Sequence, residues 1–352
     1  MMLVLAEAGV EVHCVCESVF PVEHPRIQQH VLSSPFDGKD SLAAWAWFFF
    51  RNPSRLARLA RSIGPDAVVV FSGTYAWLLG RAARSLGVPL LSFCRLRPGF
   101  SSRRTETLLE RRGYRSCDCV AAQSRATCDF IADRMAVSRD RLLVLPNEVP
   151  AIEAGPEARA TARKRLARMA DLPEDALVAV YTGRLAAVKR ADTLLLAMAK
   201  LQDERLRLLL IGDGPERGGL EQAGTDLGLS GRAFFCGWQR NVVQLLPGAD
   251  VYLSASSLEG APNAMLEAMG AGLPCLAADI PEVREVLEHE ELLFPVGDAE
   301  ALAAKLSLAV SGSERLAHLR RLSMERAQAY SFDWNERLLE VLAKMYERAK
   351  AE

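Results

Sequence analysis

The chain has 352 residues, half of them hydrophobic, with a formal net charge of −1 and eight cysteines. This length accommodates two domains of ordinary size, each with a sizeable core. The balanced charge gives no global pull toward nucleic acid, no apolar run reaches the length of a membrane span, and the first residues lack the basic-then-apolar plan of a signal peptide.

Strand and helix signals alternate along the whole chain. Short apolar runs at Val12–Val15, Ala67–Phe71, Leu90–Phe93, Val120–Ala122 and Leu142–Leu145 predict buried parallel strands. Amphipathic stretches such as Leu78–Leu86 and Ala126–Met135 predict the helices between them. Pro146-Asn147-Glu148-Val149-Pro150 breaks the pattern, and residues 151–172, rich in Ala, Arg and Glu, predict a linker followed by a helix. A second series begins at Leu177–Tyr181 and continues through Leu206–Ile211, Ala233–Phe235, Val251–Leu253 and Cys275–Ala277. Two open α/β sheets in tandem, with a ligand cleft between them, are the natural architecture.

Cysteine usage and charge distribution narrow the setting. Cys14/Cys16 and Cys117/Cys119 lie on or beside apolar runs, which favours buried thiols over zinc ligands. A chain this large needs no disulfides, so a reducing cytoplasm is expected. Residues 1–150 carry 19 Lys/Arg against 14 Asp/Glu, and the remainder carries 24 against 30. Within 81–115 nine arginines face two glutamates, and Arg95, Arg97, Arg103 and Arg104 fall in that stretch. Trp45-Ala46-Trp47-Phe48-Phe49-Phe50-Arg51, followed by Arg55, Arg58 and Arg61, sets aromatics beside arginines. That combination suits an anionic membrane surface; a buried aromatic face with a solvated arginine face is the competing explanation.

The most informative segment runs from Ser256 to Gly270, where Glu259 and Glu267 stand eight positions apart. A buried strand precedes Glu259, and Pro262 marks the start of an apolar helix. That start offers free N–H groups and a positive dipole end, which suit a phosphate. Two carboxylates beside an anion site would repel the anion, so they are better placed to accept hydrogen bonds from sugar and ribose hydroxyls. Gly183-Arg184-Leu185 with Lys189 follows the strand Leu177–Tyr181, on the carboxyl-end loop where such sheets bind ligands. Arg184 offers a planar fork to phosphate and Lys189 a point charge. Gly212-Asp213-Gly214-Pro215 and Phe235-Cys236-Gly237-Trp238 follow the next two strands.

These four motifs, in this order, resemble the retaining glycosyltransferases of the GT-B fold, the large family four group known as glycosyl transferases group 1. The resemblance is strong from about Leu177 to Asp298 and weaker from Leu3 to Asn147. It implies an α/β fold of GT-B type, with two Rossmann-like domains whose parallel sheets face each other across a cleft. Residues 1–149 would form the acceptor side, 150–329 the donor-binding domain, and 330–352 a helix crossing back to the first domain. The implied reaction moves a sugar from a UDP-, GDP- or ADP-sugar to a glycan or lipid-linked acceptor with retention of configuration, in surface polysaccharide or glycolipid synthesis. No cofactor, metal or nucleic-acid partner is implied, and the location would be cytoplasmic or peripheral on the inner face of the cell membrane.

By the same resemblance Arg184 and Lys189 contact the diphosphate, and Gly183, Gly212 and Gly214 belong to the loops beside the nucleotide. Trp238 packs against the base or sits in the core, two equal alternatives. Glu267 takes the ribose hydroxyls. Glu259 lies by the sugar, with Gly260 to Asn263 near sugar hydroxyls and phosphate. The family retains configuration by a same-face displacement in which the diphosphate takes the acceptor proton, so no side chain need be a strong base.

The chain departs from the family in three places. Met1 to Val12 resembles the end of a first helix running into a second strand, so the first strand and its glycine-rich loop are expected to be missing, with a gap between neighbouring strands and weakened or absent transferase activity. Ser92-Phe93-Cys94-Arg95 stands where many members carry a histidine, and Arg95 is a candidate replacement. The usual double glycine is absent from Ala278-Asp279-Ile280-Pro281-Glu282-Val283-Arg284-Glu285, where Glu285 is a further candidate carboxylate. These departures keep open a catalytically inactive nucleotide-sugar-binding partner subunit, and a GT-B epimerase or phosphorylase.

Overall fold

The computed structural model describes residues 2–16, 21–31, 42–95 and 104–351. The chain forms two compact units, one of Met1–Ala122, Cys128–Leu145 and Asp333–Glu352, the other of Gln123–Thr127 and Pro146–Phe332.

The first unit contains α1 (Met2–Glu7), β1 (Val12–Cys16), β2 (Ile27–Val31), α2 (Leu42–Ile63), β3 (Val68–Val70), α3 (Gly73–Leu86), β4 (Leu90–Cys94), α4 (Arg104–Tyr114) and β5 (Cys119–Ala122). Most of α5 (Arg125–Met135) and β6 (Leu142–Val144) complete the series. Every pairing is parallel: β3-β4-β5-β6 form one sheet and β1-β2 another. Among the described residues β1 and β3 belong to separate sheets. Strand β2 has no counterpart among the expected strands, because Ile27-Gln28-Gln29-His30-Val31 is too polar to resemble a buried strand, and α2 carries the aromatic and arginine segment.

Helices α3 and α4 cross at small residues. A Cβ on Gly113 would stand 1.6 Å from the carbonyl oxygen of Gly73, so the backbones touch and neither position admits a side chain. Phe93, Leu91 and Ala121 bury one sheet face together with Leu338, and Phe93 meets Trp334 at 6.1 Å between ring centres. Leu338 and Trp334 come from α13 (Trp334–Ala351), which belongs to this unit.

The second unit contains α6 (Pro156–Ala170), β7 (Leu177–Thr182), α7 (Ala191–Lys200), β8 (Leu206–Ile211), α8 (Arg217–Asp226), β9 (Ala233–Gly237), β10 (Val251–Ser254), α9 (Asn263–Gly270), β11 (Cys275–Ala278), α10 (Pro281–Leu287), β12 (Leu293–Phe294), α11 (Ala299–Val310) and α12 (Ser313–Ala329). Its six strands are all parallel, in the order β12-β11-β10-β7-β8-β9. Val178 to Tyr181 and Leu208 to Ile211 are buried on both faces, as continuous apolar runs demand when helices cover a parallel sheet. The strand order reverses between β7 and β10, so the connections after those two strands leave the sheet in opposite directions and open a crevice at their carboxyl ends. Both units are Rossmann-like α/β layers.

Candidate active site

The loops after β7 and β10 meet at this switch point. Ser257, just after β10, donates from its backbone N (2.9 Å) and its Oγ (3.1 Å) to the carbonyl of Val188. Val188 precedes Lys189, so this double bond fixes the lysine loop against the Glu259 loop. Lys189 Nζ then reaches both carboxylate oxygens of Glu259, each at 2.7 Å. The side chains are 26% and 11% exposed, so the pair is shielded from bulk water but not sealed. An ammonium has three N–H groups; two are used here and the third remains for a ligand.

Glycines lace the loops after β7, β8 and β9 into one rim. Gly183 N donates to Ile211 O, Leu185 N to Asp213 O, Glu216 N to Leu185 O, and Gly212 N to Gly237 O, at 2.9–3.1 Å. A Cβ on Gly212 would lie 1.8 Å from Gly183 O, and one on Gly214 would lie 2.2 Å from Leu185 O. Gly183 and Gly212 also have positive φ, +152° and +151°. The packing of one loop on the next is therefore sufficient to require these glycines, apart from any ligand. Tyr181, buried on β7, donates from its hydroxyl to Arg184 O at 3.0 Å and pins the same loop.

Arg184 on this rim and Glu267 on α9 have no side-chain partner among the described residues. Arg184 is exposed and its guanidinium is unpaired. Glu267 is partly buried on α9, and burial raises its carboxyl above the ordinary carboxylate range. Arg190, by contrast, is engaged by Asp192 through Nε and Nη2.

Trp238 is 70% exposed, which removes the core alternative and leaves an open aromatic face beside the glycine rim. Gly260 is buried at the turn after Glu259. Asn263 opens α9, one residue later than the proline signal suggested, because Pro262 takes a non-helical conformation and serves as the cap. Glu285 accepts from the backbone N of Arg125 with both oxygens (2.9 and 2.8 Å) and from that of Ala126 (3.3 Å) within this unit, so its charge is already satisfied. Gln123, Asn147, Tyr181 and Ser257 escaped the sequence reading. Asn147 lies in the break at 146–150 and Ser257 stands near Glu259, and neither carries a sequence signal of its own.

In the first unit Arg95 is exposed just beyond β4. Arg97 and Arg103 lie outside the described residues, as do the side chains of Arg104 and of Trp45 to Arg51. Arg55, Arg58 and Arg61 recur at helical spacing on α2 and are exposed, as are Arg111, Arg112 and Arg115. Cys14, Cys94, Cys117, Cys119, Cys128, Cys236 and Cys275 are free thiols. No helix among the described residues is long and apolar enough to cross a membrane.

Residues 163–325 match the family model "Glycosyl transferases group 1", and residues 2–148 match "Glycosyl transferase 4-like domain". The lipopolysaccharide core biosynthesis glycosyltransferase LpsD of Rhizobium meliloti is 38% identical over 165 residues, 46% of this chain and 45% of that protein. The match thus spans less than half the length of that relative. A GDP-mannose-dependent alpha-(1-6)-phosphatidylinositol dimannoside mannosyltransferase of Mycobacterium tuberculosis is 27% identical over 303 residues, 83% of this chain and 77% of that protein. The fold superposes on Anabaena Alr3699/HepE, solved with UDP and glucose, with a TM-score of 0.76 at 19% identity, covering 90% of this chain and 86% of that one.

Proposed function

As the chain is a group 1 glycosyltransferase of GT-B type, we propose that it moves a sugar from a nucleoside-diphosphate sugar to a glycan or lipid-linked acceptor with retention of configuration. The observation that carries this reading is the Lys189–Glu259 pair at the switch point, with Arg184 on the lysine loop and Glu267 on the helix after the glutamate loop both free of side-chain partners among the described residues. A diphosphate needs cations, and ribose and sugar hydroxyls need acceptors. This rim offers both.

In this reading the diphosphate lies against Arg184 and the third N–H of Lys189, and Glu267 accepts from the ribose hydroxyls. Glu259 neutralises most of the Lys189 charge, so Arg184 supplies the net positive charge that balances the leaving group. Glu259 also faces the sugar. The exposed ring of Trp238 offers a surface for the base. The bond from the anomeric carbon to the diphosphate oxygen breaks, the bond to the acceptor oxygen forms on the same face, and the acceptor proton passes to the departing phosphate. Stabilising charge on the leaving oxygen is then the main catalytic task.

Two relatives, a lipopolysaccharide core enzyme and a phosphatidylinositol mannoside enzyme, support this acceptor class. The exposed arginines of α2 and α4 suit a peripheral encounter with an anionic membrane from the cytoplasmic side. Calorimetric titration of UDP, GDP and ADP into the wild type and Glu267→Ala tests the reading. One nucleotide should bind, and the substitution should weaken it roughly tenfold or more. Failure of all three to bind would overturn it.

A further inference from the structure

Three carboxamides of the second unit form a chain with a direction. Gln123 Nε2 donates to Asn147 Oδ1 at 2.8 Å, and Asn147 Nδ2 donates to Asn263 Oδ1. Gln123 and Asn147 line one small cleft together with Gly260, Ala261 and Pro262, the turn that follows Glu259. Each carboxamide has one accepting end and one donating end. Along this chain every oxygen after Gln123 is taken by the NH2 before it. The end left over is the NH2 of Asn263, which is exposed and has no acceptor among the described residues.

An exposed asparagine on its own turns over at little cost, because its last torsion is broad and nearly two-fold. Asn263 is not on its own. Turning it over would set its NH2 against the NH2 of Asn147, donor against donor. Turning Asn147 in response would set its NH2 against that of Gln123, so the sense reverses only if all three carboxamides turn together.

We propose that Asn147 is a positioning residue: it fixes the hydrogen-bonding sense of Asn263, so that Asn263 offers N–H to the diphosphate of the sugar donor at the start of α9. This rests on the function proposed above. A helix start already favours an anion, and an asparagine presenting its oxygen there would oppose the same anion.

The test is a cycle of substitutions read by calorimetry, using whichever of UDP, GDP and ADP binds the wild type and the matching monophosphate. Asn147→Asp still accepts from Gln123 but cannot donate, so Asn263 must turn its NH2 inward and its oxygen outward. Diphosphate affinity should fall roughly tenfold or more, with monophosphate affinity changed less than about twofold. In an Asn263→Ala background the same substitution should cost less than about twofold, because there is no side chain left to orient. An equal loss in both backgrounds would mean that the new charge repels the phosphate directly, and would overturn the proposal. No loss in either would overturn it as well. Asn147→Leu, which adds no charge, serves if the aspartate variant does not fold; it should cost roughly threefold to fivefold with Asn263 present and nothing without it. A wild type that binds no nucleotide would instead remove the function on which the proposal stands.

Discussion

Lys189 Nζ lies 2.7 Å from both oxygens of Glu259, 70 positions away in the chain. The two residues meet because β7 and β10 are neighbours in the sheet although two strands intervene in sequence. A resting site therefore holds its lysine already paired, and a bound diphosphate adds to the pair rather than finding a free cation.

This pairing predicts strong coupling. Lys189→Met and Glu259→Gln each leave the other charge shielded without its partner, and each should cost about 1–3 kcal/mol of stability. The double variant should be less destabilised than the sum by about 1 kcal/mol or more. Denaturant unfolding of the four proteins checks it; strict additivity would show that the pair contributes nothing.

Arg184 should behave differently. It is exposed and unpaired, so Arg184→Ala should change stability by less than about 0.5 kcal/mol. The same change should weaken diphosphate binding roughly tenfold and flatten its salt dependence. Calorimetry at two ionic strengths measures both effects, and unchanged affinity would exclude Arg184 from the phosphate site.

Glu267 predicts a pH effect. Burial raises its carboxyl above the ordinary range, so the folded state holds the proton more tightly than the unfolded chain does. That contribution to stability is complete below the ordinary carboxylate pKa and is lost as pH rises through the raised folded value. Glu267→Gln abolishes the loss. Its melting temperature should match wild type near pH 4 and exceed it at pH 7, while nucleotide affinity falls. A difference independent of pH would contradict this account.

Gly212 and Gly218 make a contrast within one loop and the helix that follows. Gly212→Ala drives a Cβ to 1.8 Å from Gly183 O at a φ of +151°, and should cost about 3 kcal/mol or more. A Cβ on Gly218, in α8, meets nothing within 4 Å. Gly218→Ala should be neutral or stabilising by up to about 1 kcal/mol. Thermal unfolding of the two variants separates packing of the loops from glycine content as such.

Most strands were legible because a parallel strand covered on both faces must be a short continuous apolar run, and Leu206–Ile211 or Leu90–Cys94 can hardly be anything else. Strand β2 was not, since its residues are only partly buried and its polarity resembles a loop. The candidate residues were legible as types at spacings: a lysine after one strand, glutamates eight apart after another. The sequence by itself determined the α/β layering, the glycine loops and the chemical groups available. Only the tertiary structure decided that Lys189 closes on Glu259, that Glu285 is taken by the backbone of Arg125, and that Asn147 holds Asn263. Local pattern follows from period and propensity, which each segment carries within itself. Partners 70 or 116 positions apart are chosen by strand order, which no single segment contains.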